Sequence, residues 1–274
     1  MYLVFENDIG TLVMAGKSEA DISIIEAEGF AGIEKERTTV KFSGYDGVTQ
    51  TVSSYPDRTI TLKGDIHSAE VLKKAMRVFS QQGLLTIQCH DGDRAITVNS
   101  VKTDIADKNS LFWTLVIQMK CDYPLFCDSN FRRYSISERT NLITDDTVLP
   151  AMFTRRVINT SVENGGYVDV EPIVEILGVI KQTGDNALVI SNALTGRCFT
   201  LNYIPQADEL ISIDVKKRSA ISSLNGDIQE YIDSNSYFDD LVLKPGINPL
   251  TLTCGTSELN ASLKYKNEYI EAYL

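Results

Sequence analysis

The stretch NTSVENGGYVDVEPIVEILG, residues 159–178, decides how this chain reads. Extended, it puts Val168, Val170, Pro172, Val174 and Ile176 on one side and Tyr167, Asp169, Glu171 and Glu175 on the other, where Ile173 and Leu177 join them. Successive side chains of a strand point to opposite faces, so a period of two predicts a strand with one buried face. Asn164-Gly165-Gly166 offers the positive-φ residues that a tight turn uses. Pro172 cannot donate to a ladder, which places the strand at a sheet edge or makes it two short strands meeting at a bend.

The same grammar continues to the C-terminus. Strands are expected over 187–190, 196–203, 209–215, 240–243, 249–253 and 261–265. Between them lie Lys181–Asp185, Ser191–Thr195, Asn225-Gly226-Asp227, Lys244-Pro245-Gly246 and Cys254-Gly255-Thr256. Short strands with turn residues at regular spacing predict a two-sheet sandwich. Asn248, after Pro245-Gly246, has a side chain that can satisfy free backbone groups of the turn.

Upstream, residues 2–6 and 11–14 read as an opening hairpin, followed by a strand at Asp21–Ala27. Residues 29–38 read as a solvated loop in preference to a binding arm. Strands follow at 41–44, 49–53 and 58–63, with turns at Tyr45-Asp46-Gly47 and Tyr55-Pro56-Asp57. One helix is predicted over 68–82: Ser68 as N-cap, Val71, Leu72, Ala75, Met76 and Phe79 at helical spacing, Gly83 as terminator. Lys73, Lys74 and Arg77 take its outer face. Strands resume at 84–89, 95–105 and 111–121, the last with large apolar groups on both faces and so expected between layers. A β-barrel or sandwich with one helix packed across it is the simplest architecture for this half. The polar stretch 137–150, ending in Pro150, is the expected linker between domains at 1–136 and 151–274.

At 274 residues the chain exceeds the usual size of one core. A net charge of −11 opposes binding to phosphate backbones, so nucleic acid is not an expected partner. No apolar run reaches the length of a membrane span, no secretion signal is visible at the N-terminus, and synthesis in a cytoplasm is the expectation. Five cysteines at irregular spacing without a Cys-x-x-Cys pair fit reduced thiols.

The candidate chemistry is sparse. Cys89-His90-Asp91-Gly92-Asp93 holds metal-ligating residue types, but Asp-Gly between two strands is the ordinary hairpin signal, and no metal or cofactor is expected. The pairs Asp145-Asp146 and Asp239-Asp240 are adjacent in sequence, so their side chains diverge and are expected to be solvated. Glu171 and Glu175 share a strand face, which a sandwich glycosidase would require and which a solvated edge also produces. No Gly-x-Ser-x-Gly elbow is present. For sugar binding, the available aromatics are Tyr167 and Tyr203, with core or rim packing the plainer account of both.

Taken in order, Asn164-Gly165, Glu171-Pro172, Ile176-x-Gly178, Thr195-Gly196, Ile213-Asp214, Asp233-Ser234 to Phe238 and Leu243-x-Pro245-Gly246-x-Asn248 resemble the C-terminal domain of the phage distal tail protein family. In the first half, residues 58–63 leading into the helix and Asp122-Tyr123-Pro124 resemble it too. The resemblance implies an N-terminal split β-barrel with one helix and a C-terminal galectin-like β-sandwich. It implies a structural virion component without catalytic residues, six copies forming a hub ring at the phage tail tip. Its implied partners are the tail tube protein, the tail-tip hub or tail-associated lysin protein, and receptor-binding proteins. The basic helix face (Lys73, Lys74, Arg77) is the candidate ring contact. The alternative reading is a carbohydrate-binding adhesin module.

Overall fold

The structure is a computed structural model that describes residues 1–16, 20–41, 46, 49–108, 111–136, 156–178, 188–254 and 259–272. The expected linker at 137–150, the Asp145-Asp146 pair, the Lys181–Asp185 connection, the strand at 41–44 and the turns at 45–47 and 254–256 lie wholly or partly outside them.

Among the described residues the chain first forms β1 (Tyr2–Asn7), β2 (Gly10–Ala15), β3 (Ile22–Glu28), β4 (Glu36–Val40), β5 (Thr49–Ser54) and β6 (Arg58–Ile66). Helix α1 (Ala69–Val78) follows, then β7 (Gly83–Cys89), β8 (Gly92–Val98), β9 (Ser100–Lys108), β10 (Trp113–Cys121) and β11 (Phe126–Asp128). Next come β12 (Arg132–Ser135), β13 (Arg156–Asn164), β14 (Ile173–Gly178), β15 (Leu188–Asn192), β16 (Arg197–Leu201) and β17 (Leu210–Asp214). The chain ends with β18 (Ser219–Ser222), β19 (Gly226–Asp227), β20 (Gly246–Cys254), β21 (Leu259–Tyr265) and β22 (Glu268–Tyr269), after two short 3-10 turns at Gln229–Tyr231 and Phe238–Leu241.

These elements make two compact units, Met1–Ser129 with Glu268–Leu274, and Asn130–Asn267. The division differs from cuts at 136 and 151, because residues 130–136 pair within the second unit and the C-terminal residues return to the first.

The first unit is a ten-stranded sheet in the order β22-β11-β8-β7-β1-β2-β3-β6-β10-β9, with only β2 and β3 parallel. It curls around one core, which Leu3, Phe5, Leu12, Ile60, Leu62, Leu85, Ile96, Leu115 and Ile117 share with the helix. No ladder closes it into a barrel among the described residues. The expected strand at 95–105 is two strands broken at Asn99, so that β8 and β9 lie at different places in the sheet. The strand at 111–121 buries one face, Leu115, Ile117, Met119 and Cys121, while Gln118 and Lys120 are exposed, so it is not between layers. Part of the expected 29–38 loop is β4, which pairs with β5 in a separate two-stranded ladder.

Ser68 caps the helix, its Oγ accepting from Glu70 N at 3.2 Å. Ala75, Val78 and Phe79 are buried, and the Phe79 ring lies 5.3 Å from that of Phe5. The helix ends at Val78, short of 82, where Asn7 Nδ2 donates to Val78 O at 2.7 Å. Gly83 opens β7 instead of capping the helix. A Cβ there would lie 2.6 Å from Glu6 O and from the Phe5 ring, so a glycine lets β7 approach β1.

Arg58 is 2% exposed and in phase with the core residues Ile60 and Leu62. Its Nε donates to Pro124 O (2.7 Å), Nη1 to Gly29 O (2.5 Å) and Ala31 O (2.9 Å), and Nη2 to Ile270 O (2.6 Å). Its guanidinium carbon sits 4.5 Å from the centre of the Phe126 ring. Burial pulls its pKa below the ordinary value, opposed by Cys121. Arginine nevertheless stays charged in proteins. Burial pushes the Cys121 thiol up to about 11 against the pull of Arg58, so this neighbour is neutral at pH 7. Carbonyl dipoles and an aromatic face thus hold the cation. The supposedly solvated loop at 29–31 is therefore part of the core, with Phe30 6% exposed.

The second unit is a sandwich of a six-stranded sheet, β12-β21-β14-β17-β18-β19, and a four-stranded sheet, β13-β20-β15-β16. Val162, Ile190, Phe199 and Leu252 from one sheet meet Val174, Ile176, Ile211 and Leu263 from the other. Within 159–178, Val162, Asn164, Val170, Val174 and Ile176 are buried at even positions as the period of two predicts. The segment is two strands, β13 and β14, in different sheets, with Pro172 just before β14. Gly165 and Gly166 are not among the positive-φ glycines, so they do not turn the chain as expected. The buried Asn164 side chain does that work: Oδ1 accepts from Gly166 N (2.9 Å), while Nδ2 donates to Val168 O (2.9 Å) and Leu243 O (3.1 Å). The first half of the expected strand at 240–243 is the end of the 3-10 turn Phe238–Leu241, in which Asp240 Oδ2 accepts from Tyr237 N at 2.8 Å, while Leu243 pairs with Val170 in an isolated antiparallel bridge.

Glu209, 0% exposed, accepts from Tyr203 Oη (2.5 Å), from Ser222 Oγ and from Gln206 N (2.6 Å). Burial alone would raise its pKa, but the bonds from Gln206, Ser222, Tyr203 and Asn225 outweigh it and hold the carboxyl below its ordinary value.

Two predictions follow from these buried charges. Arg58→Met leaves four carbonyls without their donor and should destabilise the first unit by about 3 kcal/mol or more; Arg58→Lys, lacking the fork, should recover only part of it, as chemical denaturation will measure. Because Glu209 has a depressed folded pKa, its contribution is present above the unfolded value of about 4.3 and lost as pH falls through the folded one. Glu209→Gln should therefore cost roughly 1–3 kcal/mol at pH 7 and give a shallower fall in Tm below pH 4.5 than the parent; parallel profiles would contradict this.

Candidate functional site

The helix face predicted to carry contacts is exposed, with Lys73, Lys74 and Arg77 all outward. The three are not equivalent. Lys74 Nζ pairs within its own unit with Asp21, at 3.1 Å and 3.2 Å from the two carboxylate oxygens. Asp21 Oδ2 also accepts from Val13 N at 2.9 Å, so this pair ties the helix to the end of β2. Lys73 and Arg77 form no ion pair among the described residues.

The second candidate surface is a sheet edge that composition alone does not reveal. β9 is nine residues long, pairs among the described residues with β10 only, and ends the ten-stranded sheet. Its outer row of backbone donors and acceptors can pair with a further strand. Charges space it: Lys102 pairs with Asp104 at 3.2 Å, and the ladder slips between Thr114 and Leu115 opposite its C-terminal end. Such charges and irregularities are how exposed edges avoid indiscriminate pairing. Ile105, 51% exposed, stands among them. The β4–β5 ladder is also exposed, every described residue of β4 facing solvent.

The outer face of the six-stranded sheet bears a shallow groove of about 300 Å³ lined by Arg133, Ser135, Glu175, Leu177, Leu210 and Ser262 among others. Glu175 is spanned by Arg133 Nη2 at 2.8 Å and by Lys264 Nζ. Burial would raise its pKa, yet the two cations bring it below the usual value. It is therefore fixed as a paired carboxylate, and Glu171 is exposed and does not line the groove. No aromatic lines the groove. Tyr203 is buried at the Glu209 cluster, and Tyr167 is 49% exposed in the turn before β14.

The remaining sequence candidates resolve as structure. Cys89 pairs with Gly92 across a hairpin whose turn is His90-Asp91, and Asp91 Oδ2 accepts from Arg94 Nη2 at 2.6 Å. Asp239 meets Arg218 (2.8 Å) and Asp240 meets Arg197 (3.3 Å), so the adjacent pair diverges; only Asp239 is solvated as expected, Asp240 being buried. No helix among the described residues is long and apolar enough to cross a membrane.

Residues 165–269 match the family model for the siphovirus-type tail component, C-terminal domain. The matched span covers most of the second unit. The fold is also similar, over 90% of this chain and 93% of the other, to the crystal structure of SPP1 Dit (gp 19.1), described as a paradigm of the hub adsorption apparatus in phages infecting Gram-positive bacteria. That likeness has a TM-score of 0.62 at 13% identity. A chain of the phage P2 baseplate in its activated conformation aligns over 97% of each chain, with TM-score 0.48 and 10% identity. No curated protein sequence matches the chain.

The tail-component motifs have definite mechanical roles in this domain. Asn248, 0% exposed, accepts from Lys244 N (3.0 Å) and Asn192 Nδ2 (3.1 Å) and donates to Lys244 O (2.7 Å) and Gly246 O (3.0 Å). Gly196 takes a positive φ of 67°, and Ser236 Oγ accepts from Thr200 N at 2.9 Å. None of these residues is arranged to react with a substrate. They shape loops.

For the helix face, Lys74→Ala should cost no more than about 1 kcal/mol, since an exposed pair is screened by solvent. Phe79→Asp should cost several times more, because it buries an unpaired charge. Equal losses in a denaturant titration would contradict the packing described.

Proposed function

We propose that this protein is a structural component of a phage tail tip, in which six copies form a hub ring between the tail tube and the tail-tip and receptor-binding proteins. The observation that carries the reading is the tail-component match over 165–269, on a chain whose fold follows SPP1 Dit over nine-tenths of its length. In this reading the protein works by binding other proteins and has no catalytic step, and it resides in the virion.

The ring falls to the first unit. A ring needs a heterologous contact, one surface meeting a different surface of the next copy. The β9 edge is long enough to serve as one half. With a net charge of −11, copies repel unless the contact is locally less acidic, and Lys73 and Arg77 supply cations that no described carboxylate engages. Charge pairs of that kind act chiefly on register and association rate.

The test is light scattering and negative-stain imaging of the full chain at micromolar concentration, alone and with the tail tube protein. Six-membered rings that dissociate as salt rises, and that fail to form in the Lys73→Glu/Arg77→Glu double variant, are expected. A chain that stays monomeric under both conditions would overturn the proposal, as would rings indifferent to the double variant for the role of the helix face.

A further inference from the structure

The last described residues of the chain, Glu268–Ala272, belong to the first unit although the whole second unit separates them from it in sequence. They are gripped mainly by their backbone. Arg58 Nη2 donates to Ile270 O at 2.6 Å and Arg94 Nη1 donates to Glu271 O at 2.6 Å. Ala272 N donates to Phe30 O at 2.9 Å. β22 pairs antiparallel with β11 through Phe126↔Tyr269 and Cys127↔Glu268.

One side chain acts as anchor. Tyr269 is 7% exposed, its ring centre lies 3.9 Å from the Arg94 guanidinium carbon, and its hydroxyl donates to Asp128 Oδ1 at 3.0 Å. Ala272, 3% exposed, closes the far end of the slot. Arg94 is itself only 3% exposed and Arg58 2%, so both are buried parts of the slot and not surface cations that happen to lie near it.

Main-chain hydrogen bonds to an extended segment, with a pocket for one aromatic side chain, is the chemistry of strand addition. We infer that Phe30, Arg58, Arg94, Phe126 and Asp128 form a peptide-binding groove for an extended segment of sequence Glu-Tyr-Ile-Glu-Ala, and that the chain fills it with its own C-terminal residues as a separable donated strand. All five groove residues precede residue 130, so the receiving surface is complete before the donor is made. Without the donor, Arg58 and Arg94 each lose a carbonyl acceptor inside the unit. The first unit is therefore finished last, after the second has been synthesised.

The experiment uses a labelled peptide of residues 266–274 and a chain ending at Asn267. The peptide should bind the shortened chain saturably and raise its Tm, should not bind the full chain whose groove is filled, and should bind at least about tenfold more weakly when it carries Tyr269→Ala. Equal binding to both chains, or a folded shortened chain with an unchanged Tm and no binding, would overturn the inference. If the shortened chain does not fold, hydrogen exchange on the full chain decides. Tyr269→Ala should speed exchange at Ala272 and in β11 by roughly tenfold while amides of β14 keep their rates, and unchanged exchange at 268–272 would overturn it.

Discussion

A single desolvated cation organises the first unit. Removing an ion from water costs several kcal/mol even after relaxation, so a buried guanidinium is stable only where acceptors surround it. Arg58 meets that condition with four carbonyls drawn from three places in the chain: the loop at 29–31, Pro124 and Ile270. The 29–31 loop and Pro124 lie outside the strands, and Ile270 follows the two-residue β22. The planar fork of arginine reaches all of them at once, which a point charge on a flexible stem could not. Phe126 closes one face of the guanidinium, so the same residue that begins β11 also excludes water from the cation.

The second unit uses neutral amides for the same purpose. Asn164, Asn192 and Asn248 are all buried, and their side chains bond backbone groups of the turns beside them. Buried polar groups of this sort are stable only when nearly every donor and acceptor is matched. The Glu209 cluster follows the same rule with an ionised acceptor. The loops are consequently fixed in shape by these bonds.

Asp91, Asp239, Asp240, Glu175 and Glu209 each have an intramolecular partner that fixes their direction. Among the described residues, β9 pairs on one side with β10, and Lys73 and Arg77 form no ion pair.

The sequence by itself determined the alternation of strands, a helix starting after Ser68 with its cap and apolar stripe, and the turn residues that resemble the tail-component domain. These are local: a period of two, a period of 3.6 and side chains bonding to nearby backbone need no distant partner. Arg58 shares a strand face with Ile60 and Leu62, but phase alone does not separate a buried arginine from one at a strand end. Tertiary structure alone decided which loop carbonyls it binds, that Gly83 serves strand approach and not a helix end, and that residues 268–272 leave the sandwich to complete the first sheet. Glu-Tyr-Ile-Glu-Ala alternates like any other short strand, and period carries no information about which sheet receives it. That choice belongs to Arg58, Arg94 and the Tyr269 slot, whose parts come together only when the chain is folded.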